Sequence, residues 1–316
     1  MKKISLLLLL IVGVFSAKSQ MIVDNNTPYN SPAWLIDNSF LGPGVQAFNH
    51  SFQGDSLQIA WFNAVNTNLG LDSGLMLSTG NAHLADPNNT TLGFVNTAIT
   101  DPDLLTIANS VPALIGQTFT VSSTRDAAIL EFDFIPTSDS LSLRYVFASR
   151  EYFGYENSNF NDVFAFFLSG PGITGPYASP AAFPGGAKNI AFVPNSTPPQ
   201  LTITISTIHN GQNGVITPIN SQYFVPNQGM AHDTIDDIDG FTTVMTAKSL
   251  VQCGDTFHIK LAIADGTDNA LSSYIFFESG SFSSPPLIVT DNFGLNTPVR
   301  DIACNPLITL TAQTVP

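Results

Sequence analysis

Basic residues are scarce in this chain, and the scarcity excludes several classes of protein. Only 10 of the 316 residues are Lys or Arg, against 24 Asp and Glu, and the basic residues form no cluster. Such a surface repels phosphate backbones and anionic headgroups, so we expect no binding to nucleic acid. The 5 histidines are scattered without zinc-ligand spacing, which makes a zinc site unexpected too.

Cysteine is almost absent, so a hydrophobic core must hold most of the fold. The two cysteines, Cys253 and Cys304, are 51 residues apart. In an oxidising compartment they could form a disulfide, and closing a loop of this length would contribute about 4 kcal/mol. We predict this bridge, with the alternative that Cys304 belongs to a following module.

Long apolar runs are missing apart from one short stretch near the N-terminus. Two lysines precede the apolar residues 4–15, and small residues follow at positions 17 and 19, which is the layout of a secretory signal. The stretch is too short to span a bilayer comfortably. We expect cleavage before Gln20, no integral membrane span afterwards, and a secreted or cell-surface protein.

The acidic residues are strongly biased towards Asp. Cleavage would leave 7 basic and 24 acidic residues, a net charge of −17, and 20 of the acids are Asp. Asp is both a turn residue and a hard oxygen ligand, so this bias is typical of a β protein with many turns and agrees with calcium binding. Simple solvation of turns by Asp is the alternative interpretation.

Alternation of apolar and polar residues with period two dominates the chain. Runs such as residues 129–135 and 141–147 recur between clusters of Gly, Pro, Asn and Ser. The Phe-rich runs 163–168 and 274–277 must be buried on both faces. The pattern predicts an all-β fold, a two-sheet jelly-roll-like β-sandwich with one or two short helices.

Two segments favour those helices. One runs from Pro32 to Leu41 behind the capping residue Ser31, and the other covers residues 102–109 behind Asp101.

The chain divides into four predicted parts. Residues 1–19 are the signal peptide, residues 20–37 a lead-in, and residues 38–283 the sandwich, with a long Gly- and Pro-rich excursion at 169–188. Residues 284–316 begin as a linker and then contain a strand-like run. This last part either docks back on the sandwich or starts a following β module.

Two short sequence motifs resemble those of an ester hydrolase. Residues 54–57 read Gly-Asp-Ser-Leu, and Asp255 is followed three residues later by His258. His258 falls within a strand pattern, and no oxyanion block is recognisable, so the structural context of such an enzyme is missing. We expect no catalysis by Ser56, and we interpret His258 as a strand histidine.

Two further motifs are longer and more specific. Residues 146–152 read Val-Phe-Ala-Ser-Arg-Glu-Tyr, and residues 160–167 read Phe-Asn-Asp-Val-Phe-Ala-Phe-Phe. Together with residues 239–282 they resemble the choice-of-anchor L domain of large bacterial surface proteins exported by type IX secretion. The resemblance implies a location and an architecture, since the molecular task of that family is poorly defined.

Polar residues at strand ends are the candidate metal ligands, because such groups converge readily on one edge of a sandwich and calcium takes six to eight oxygens. The candidates are Glu151, Asn161, Asp162, Asp239, Asp265 and Asp268. The alternative role of these residues is to cap turns. Arg150 stands where the family commonly has a second acid, and it could pair with Glu151 or Glu156 in place of a metal.

Aromatic and amide side chains crowd the loop between the two motifs. Flat rings beside amides are typical of sugar-binding surfaces, and the candidates are Tyr152, Tyr155, Asn157 and Asn159. Packing of these rings inside the loop is the alternative.

The preferred function is a noncatalytic exported module for adhesion, or for binding an extracellular polymer, glycan or surface protein, stabilised by calcium. Two other classes stay open. One is an extracellular hydrolase of esters or glycans, in which Glu151 and Asp162 would flank an open cleft. The other is a purely structural spacer within a longer surface protein.

Overall fold

A computed structural model describes residues 20–65, 67–211, 215–228 and 234–285. The predicted signal peptide and residues 286–316 lie outside these ranges.

Short β-strands make up most of the described chain. They are β1 (Ile22–Asp24), β2 (Val45–Gln53), β3 (Ile59–Asn63), β4 (Ser73–Ser78), β5 (Thr124–Pro136), β6 (Ser140–Ser149), β7 (Val163–Ser169), β8 (Lys188–Asn189), β9 (Phe224–Pro226), β10 (Gly240–Thr242), β11 (Met245–Leu250), β12 (Phe257–Gly266) and β13 (Ser273–Glu278). Two α-helices, α1 (Pro32–Leu35) and α2 (Pro102–Leu114), accompany them.

These strands form two antiparallel sheets. The eight-stranded sheet has the order β1-β3-β4-β13-β6-β10-β9, and β11 also pairs with β6. The five-stranded sheet has the order β2-β5-β12-β7-β8. The predicted all-β, two-sheet sandwich is therefore confirmed.

Three apolar layers explain why some strands carry Phe on both faces. The main core lies between the sheets and contains Phe164, Phe166 and Phe277. The outer face of the eight-stranded sheet is covered as well, so that Phe276 of β13 is also buried. Phe167 of β7 packs into a third layer on the outer face of the five-stranded sheet. Both faces of the central strands are thus removed from water.

Both predicted helices form at the predicted caps. The Ser31 hydroxyl accepts a hydrogen bond from the Trp34 amide at 3.3 Å, and the helical path continues through residues 36–40 as a wider π turn. The Asp101 carboxylate accepts from the Leu104 amide at 2.9 Å. Helix α2 extends beyond the predicted end because its apolar side packs on the five-stranded sheet.

The predicted lead-in is part of the sandwich. Strand β1 pairs with β3 at the edge of the eight-stranded sheet, and Met21 and Val23 are buried against that sheet. The start of the predicted lead-in thus packs with the sandwich.

The Gly- and Pro-rich excursion folds over the outer face of the five-stranded sheet. Tyr177 and Ala187 exchange backbone hydrogen bonds of 3.2 and 2.9 Å, which draws the two arms of the loop together. The Ala178 amide donates to both carboxylate oxygens of Asp103 in α2, each at 3.2 Å. This segment is therefore a structured cover on the sheet.

Candidate metal centre

Four of the predicted ligands meet at one end of the sandwich. Glu151 lies two residues beyond β6, Asn161 and Asp162 directly precede β7, and Asp265 lies near the end of β12. A register irregularity between Ile263 and Asp265 alters the strand at this point. All four side chains are buried, with at most 3% of their surface exposed. We call these four residues the acidic cluster.

Asp162 connects the two sheets. Its Oδ1 accepts a hydrogen bond of 2.8 Å from the Gly266 amide in the five-stranded sheet. Its Oδ2 accepts one of 2.6 Å from the Ser273 hydroxyl in the eight-stranded sheet. Hydrogen bonds to a buried carboxylate are stronger than neutral ones, so Asp162 fixes the relative position of β12 and β13.

Within the described part of the chain, the other members of the acidic cluster retain polar atoms without hydrogen-bond partners. These atoms are Glu151 Oε2, Asp265 Oδ1, Asn161 Oδ1 and Asn161 Nδ2. Leaving a buried polar atom unpaired costs about 1–3 kcal/mol, more for a charged group, so each such atom in a native fold requires an explanation.

Burial changes the protonation of the three carboxyls. Burial raises the pKa of Asp162 to about 7, although hydrogen bonds from Ser273 and Gly266 oppose this shift. The pKa of Glu151 is raised well above its usual value by burial, then by the charges of Asp162 and Asp265. Burial and the charge of Asp162 likewise raise the pKa of Asp265. The three groups therefore bind protons unusually tightly when no other cation is present.

These residue types suit a hard cation. Carboxylate and amide oxygens are the ligands that calcium prefers, and the acidic cluster holds three carboxyls and one amide in a small volume. Within the described ranges, no three His, Cys, Asp or Glu side chains are already arranged as a metal-binding group. An ion would thus have to turn the unpartnered oxygens of Glu151, Asn161 and Asp265 towards one point.

The two remaining metal candidates lie outside this cluster. Asp268 is half-buried, its charge acts on Glu151, and its Oδ1 accepts from the Ala270 amide at 3.3 Å. Asp239 lies beside β6, where its amide donates to the Ser149 carbonyl at 3.1 Å. Asp268 could approach an ion as an outer ligand, whereas Asp239 belongs to the strand pairing of β10.

Arg150 contacts neither of the glutamates proposed from the sequence. Its guanidinium pairs with Asp237, whose other oxygen accepts a 2.6 Å hydrogen bond from the Tyr274 hydroxyl. Asp237 is buried and has a positive φ of 53°. Asp237 could not be predicted as this partner, because it lies 87 residues away in the chain. Arg150 therefore takes no place in the acidic cluster.

The predicted sugar-binding residues are not all exposed. Tyr152 is buried in the main core with its ring 4.7 Å from that of Phe224, so it cannot form part of a surface platform. Tyr155 and Asn159 are exposed, whereas Asn157 is half-buried. The backbone N–H of Asn157 donates a hydrogen bond of 2.9 Å to the Ser206 hydroxyl. Ligand binding by the exposed pair stays a prediction.

The predicted disulfide can be located at one end only. Cys253 lies in the turn between β11 and β12, where its amide donates to Asp139 at 3.2 Å. Cys304 lies outside the described residues, so the bridge stays a prediction.

Neither hydrolase arrangement is assembled. Ser56 lies in a short turn capped by Asp55, while the two ring nitrogens of His258 face Asp133 and Glu131 at 2.9 and 3.4 Å. Asp255 precedes β12, whereas His258 lies within that strand as expected. Glu151 and Asp162 are both buried, so they do not flank an open cleft.

The fold and the cluster define an all-β sandwich with polar strand ends buried between its two sheets. The family model for the choice-of-anchor L domain matches residues 22–283, so the chain belongs to the choice-of-anchor L family. Membership implies an extracellular or surface-associated module. No curated protein and no solved structure matches the chain. Among the described residues, no helix has the length and apolar character needed to cross a bilayer.

Proposed function

We propose that the protein is a noncatalytic exported module for adhesion or for binding an extracellular polymer, glycan or surface protein, and that a calcium ion in the acidic cluster stabilises it. The signal-like N-terminus and the strongly acidic composition support export to an aqueous surface environment. Type IX secretion is the export route that we propose from the family resemblance.

One observation carries the calcium proposal. Glu151, Asn161 and Asp265 are almost fully buried, yet each has an oxygen with no hydrogen-bond partner among the residues that the structure describes. Burial of several mutually repelling carboxyls is costly unless protons or a cation compensate their charge. At neutral pH and the calcium concentrations outside cells, a cation with many oxygen ligands compensates this charge and satisfies the unpaired oxygens together.

Thermal unfolding in calcium and in chelator tests this proposal. A ligand that binds only the folded state at 100 times its Kd stabilises it by about 2.7 kcal/mol. For a domain of this size that corresponds to a rise in Tm of roughly 5–10 °C. We expect this rise with millimolar calcium, and we expect Asp265→Asn to abolish it, because the substitution removes one negative ligand.

Asp72→Asn is the matched control. Asp72 is exposed and precedes β4 at the opposite end of that strand from Thr79, which hydrogen-bonds Asp265. This variant should keep the full calcium response. An identical Tm in calcium and chelator for the unmodified protein would contradict the calcium proposal.

Binding to surface material tests the other half of the function. We expect the full chain to be retained on at least one immobilised extracellular polysaccharide or surface-protein preparation, and to cleave neither short acyl esters nor the retained glycan. Turnover that Ser56→Ala or Glu151→Gln removes would instead establish a hydrolase.

A further inference from the structure

A second polar site lies on the outer face of the five-stranded sheet. Residues two apart on a strand share a face, and the register places six side chains in two adjacent rows. These rows are Asp133, His258 and Ser169, followed by Glu131, Lys260 and Phe167. Such a group of polar side chains is unexpected on a face that is otherwise lined by Ala, Ile and Val.

The charged members of these rows are held rigidly. Lys260 Nζ lies 2.8 Å from Asp101 Oδ2 and 3.1 Å from Asp103 Oδ2, and it stacks 4.5 Å from the centre of the Phe167 ring. Burial lowers the pKa of His258, but hydrogen bonds to Glu131 and Asp133 outweigh it, so the net shift is upwards. The donors are thus fixed before any ligand arrives.

The excursion described above roofs part of these rows and leaves a cavity of about 220 Å³. Ala178, Ser179 and Pro180 line its outer side, while Glu131, His258 and Lys260 line the sheet side. The Phe183 ring lies 6.1 Å from the imidazole of His258. The cavity therefore has a polar floor and small or apolar walls.

One buried hydroxyl at this cavity is unsatisfied. Ser169 is fully buried and lines the cavity, and its Oγ has no hydrogen-bond partner among the described residues. A hydroxyl can donate once and accept twice, and an ammonium carries three donors, of which two contact Asp101 and Asp103. The floor therefore offers both donors and acceptors to a bound molecule.

We propose that this cavity binds one neutral sugar unit of an extracellular polysaccharide. Alternating hydroxyls match the mixed donors and acceptors of Ser169, Glu131 and Lys260, and the apolar ring faces suit the aromatic and Pro walls. Four carboxylates surround Lys260 and His258, so an anionic sugar is disfavoured. This inference rests on the proposed function and names its ligand class and site.

Binding of the full chain to defined oligosaccharides tests the site. The probes are neutral gluco-, manno- and galacto-oligosaccharides, with uronic-acid oligosaccharides as the anionic comparison, all measured by calorimetry in calcium. We expect at least one neutral series to bind and the anionic series to bind at least tenfold more weakly. Glu131→Gln should weaken neutral binding at least tenfold, because it removes a charged acceptor from the floor.

Two further variants keep this test independent of folding. Ala178→Phe adds bulk to an exposed rim position and should also abolish binding, while Glu278→Gln changes a similarly exposed strand glutamate on the other sheet and should not. Neutral binding that survives both cavity variants would overturn this site and leave the proposed function intact. Preference for the anionic series would also overturn it. Failure to bind any extracellular polymer would overturn both proposals.

Discussion

The acidic cluster places carboxyl groups in the interior of the fold, where their negative charge must be compensated. Asp162 is fully hydrogen-bonded and acts structurally, whereas Glu151, Asn161 and Asp265 retain unpaired oxygens. A carboxyl in such surroundings must hold either a proton or a cation. The calcium ion that we propose for this cluster would therefore compete with protons for its carboxyl groups.

This competition predicts that the stability of the calcium-free protein and the stabilisation by calcium change in opposite directions with pH. The pKa of Asp162 is raised to about 7, so the folded state binds protons more tightly than the unfolded chain, and calcium-free stability should fall as pH rises from about 4 through 7. The Tm gain from calcium should consequently be larger at pH 8 than at pH 5. Differential scanning calorimetry at both pH values, with and without chelator, measures the gain.

Asp265→Asn provides the internal comparison for this pH effect. The substitution replaces a carboxyl that prefers to be neutral with a neutral isostere, so chelator-treated variant should be more stable than chelator-treated parent at pH 8. A calcium gain that is equal at pH 5 and pH 8 would contradict the competition between protons and the metal.

At the scale of elements, the end of β12 decides whether the acidic cluster can form. The chain must bring Asp265 towards Asp162 and then pass close to the backbone of Asn161. A Cβ atom on Gly266 would lie only 2.8 Å from the Asn161 carbonyl oxygen. Glycine is required here by the close approach of two backbones.

Gly266→Ala should accordingly destabilise the protein. Overpacking of the added methyl group against backbone atoms costs about 1–3 kcal/mol. The backbone shift that accommodates this methyl group should also weaken the calcium response by moving Asp265 away from Asp162. Urea unfolding with and without calcium measures both effects. Gly154→Ala is the control, because a Cβ there meets nothing within 4 Å, and its effect should stay within about 0.5 kcal/mol.

Sequence patterns predicted the elements better than the contacts between them. Period-two runs and capping residues located the main strands and both helices, since these signals are local. Pairing of Arg150 with Asp237 could not be predicted, and the sequence left open whether Tyr152 is exposed or packed, because both depend on which distant strands become neighbours. The rows of polar side chains around His258 were not predicted for the same reason: each strand contributes at most two of them.

At the scale of the whole molecule, the acidic cluster lies where the two sheets are joined at one end. Glu151 follows β6 of the eight-stranded sheet, while Asp162 precedes β7 and Asp265 lies near the end of β12 in the five-stranded sheet. An ion shared by these side chains would connect sheets that elsewhere meet through apolar packing. Calcium should therefore couple the unfolding of the two sheets, in addition to ordering one loop.

Hydrogen exchange can detect this coupling. An amide exchanges more slowly as the free energy of the local opening that exposes it rises, so a ligand that joins the sheets should slow exchange at the cluster end of both. We expect calcium to protect peptides containing residues 149–151 and 161–163 together with those containing residues 265–273. Peptides from α1 should respond less, because that helix packs mainly on β2 and β3. Protection confined to the 265–273 segment would show that the ion orders a single loop and does not link the two sheets.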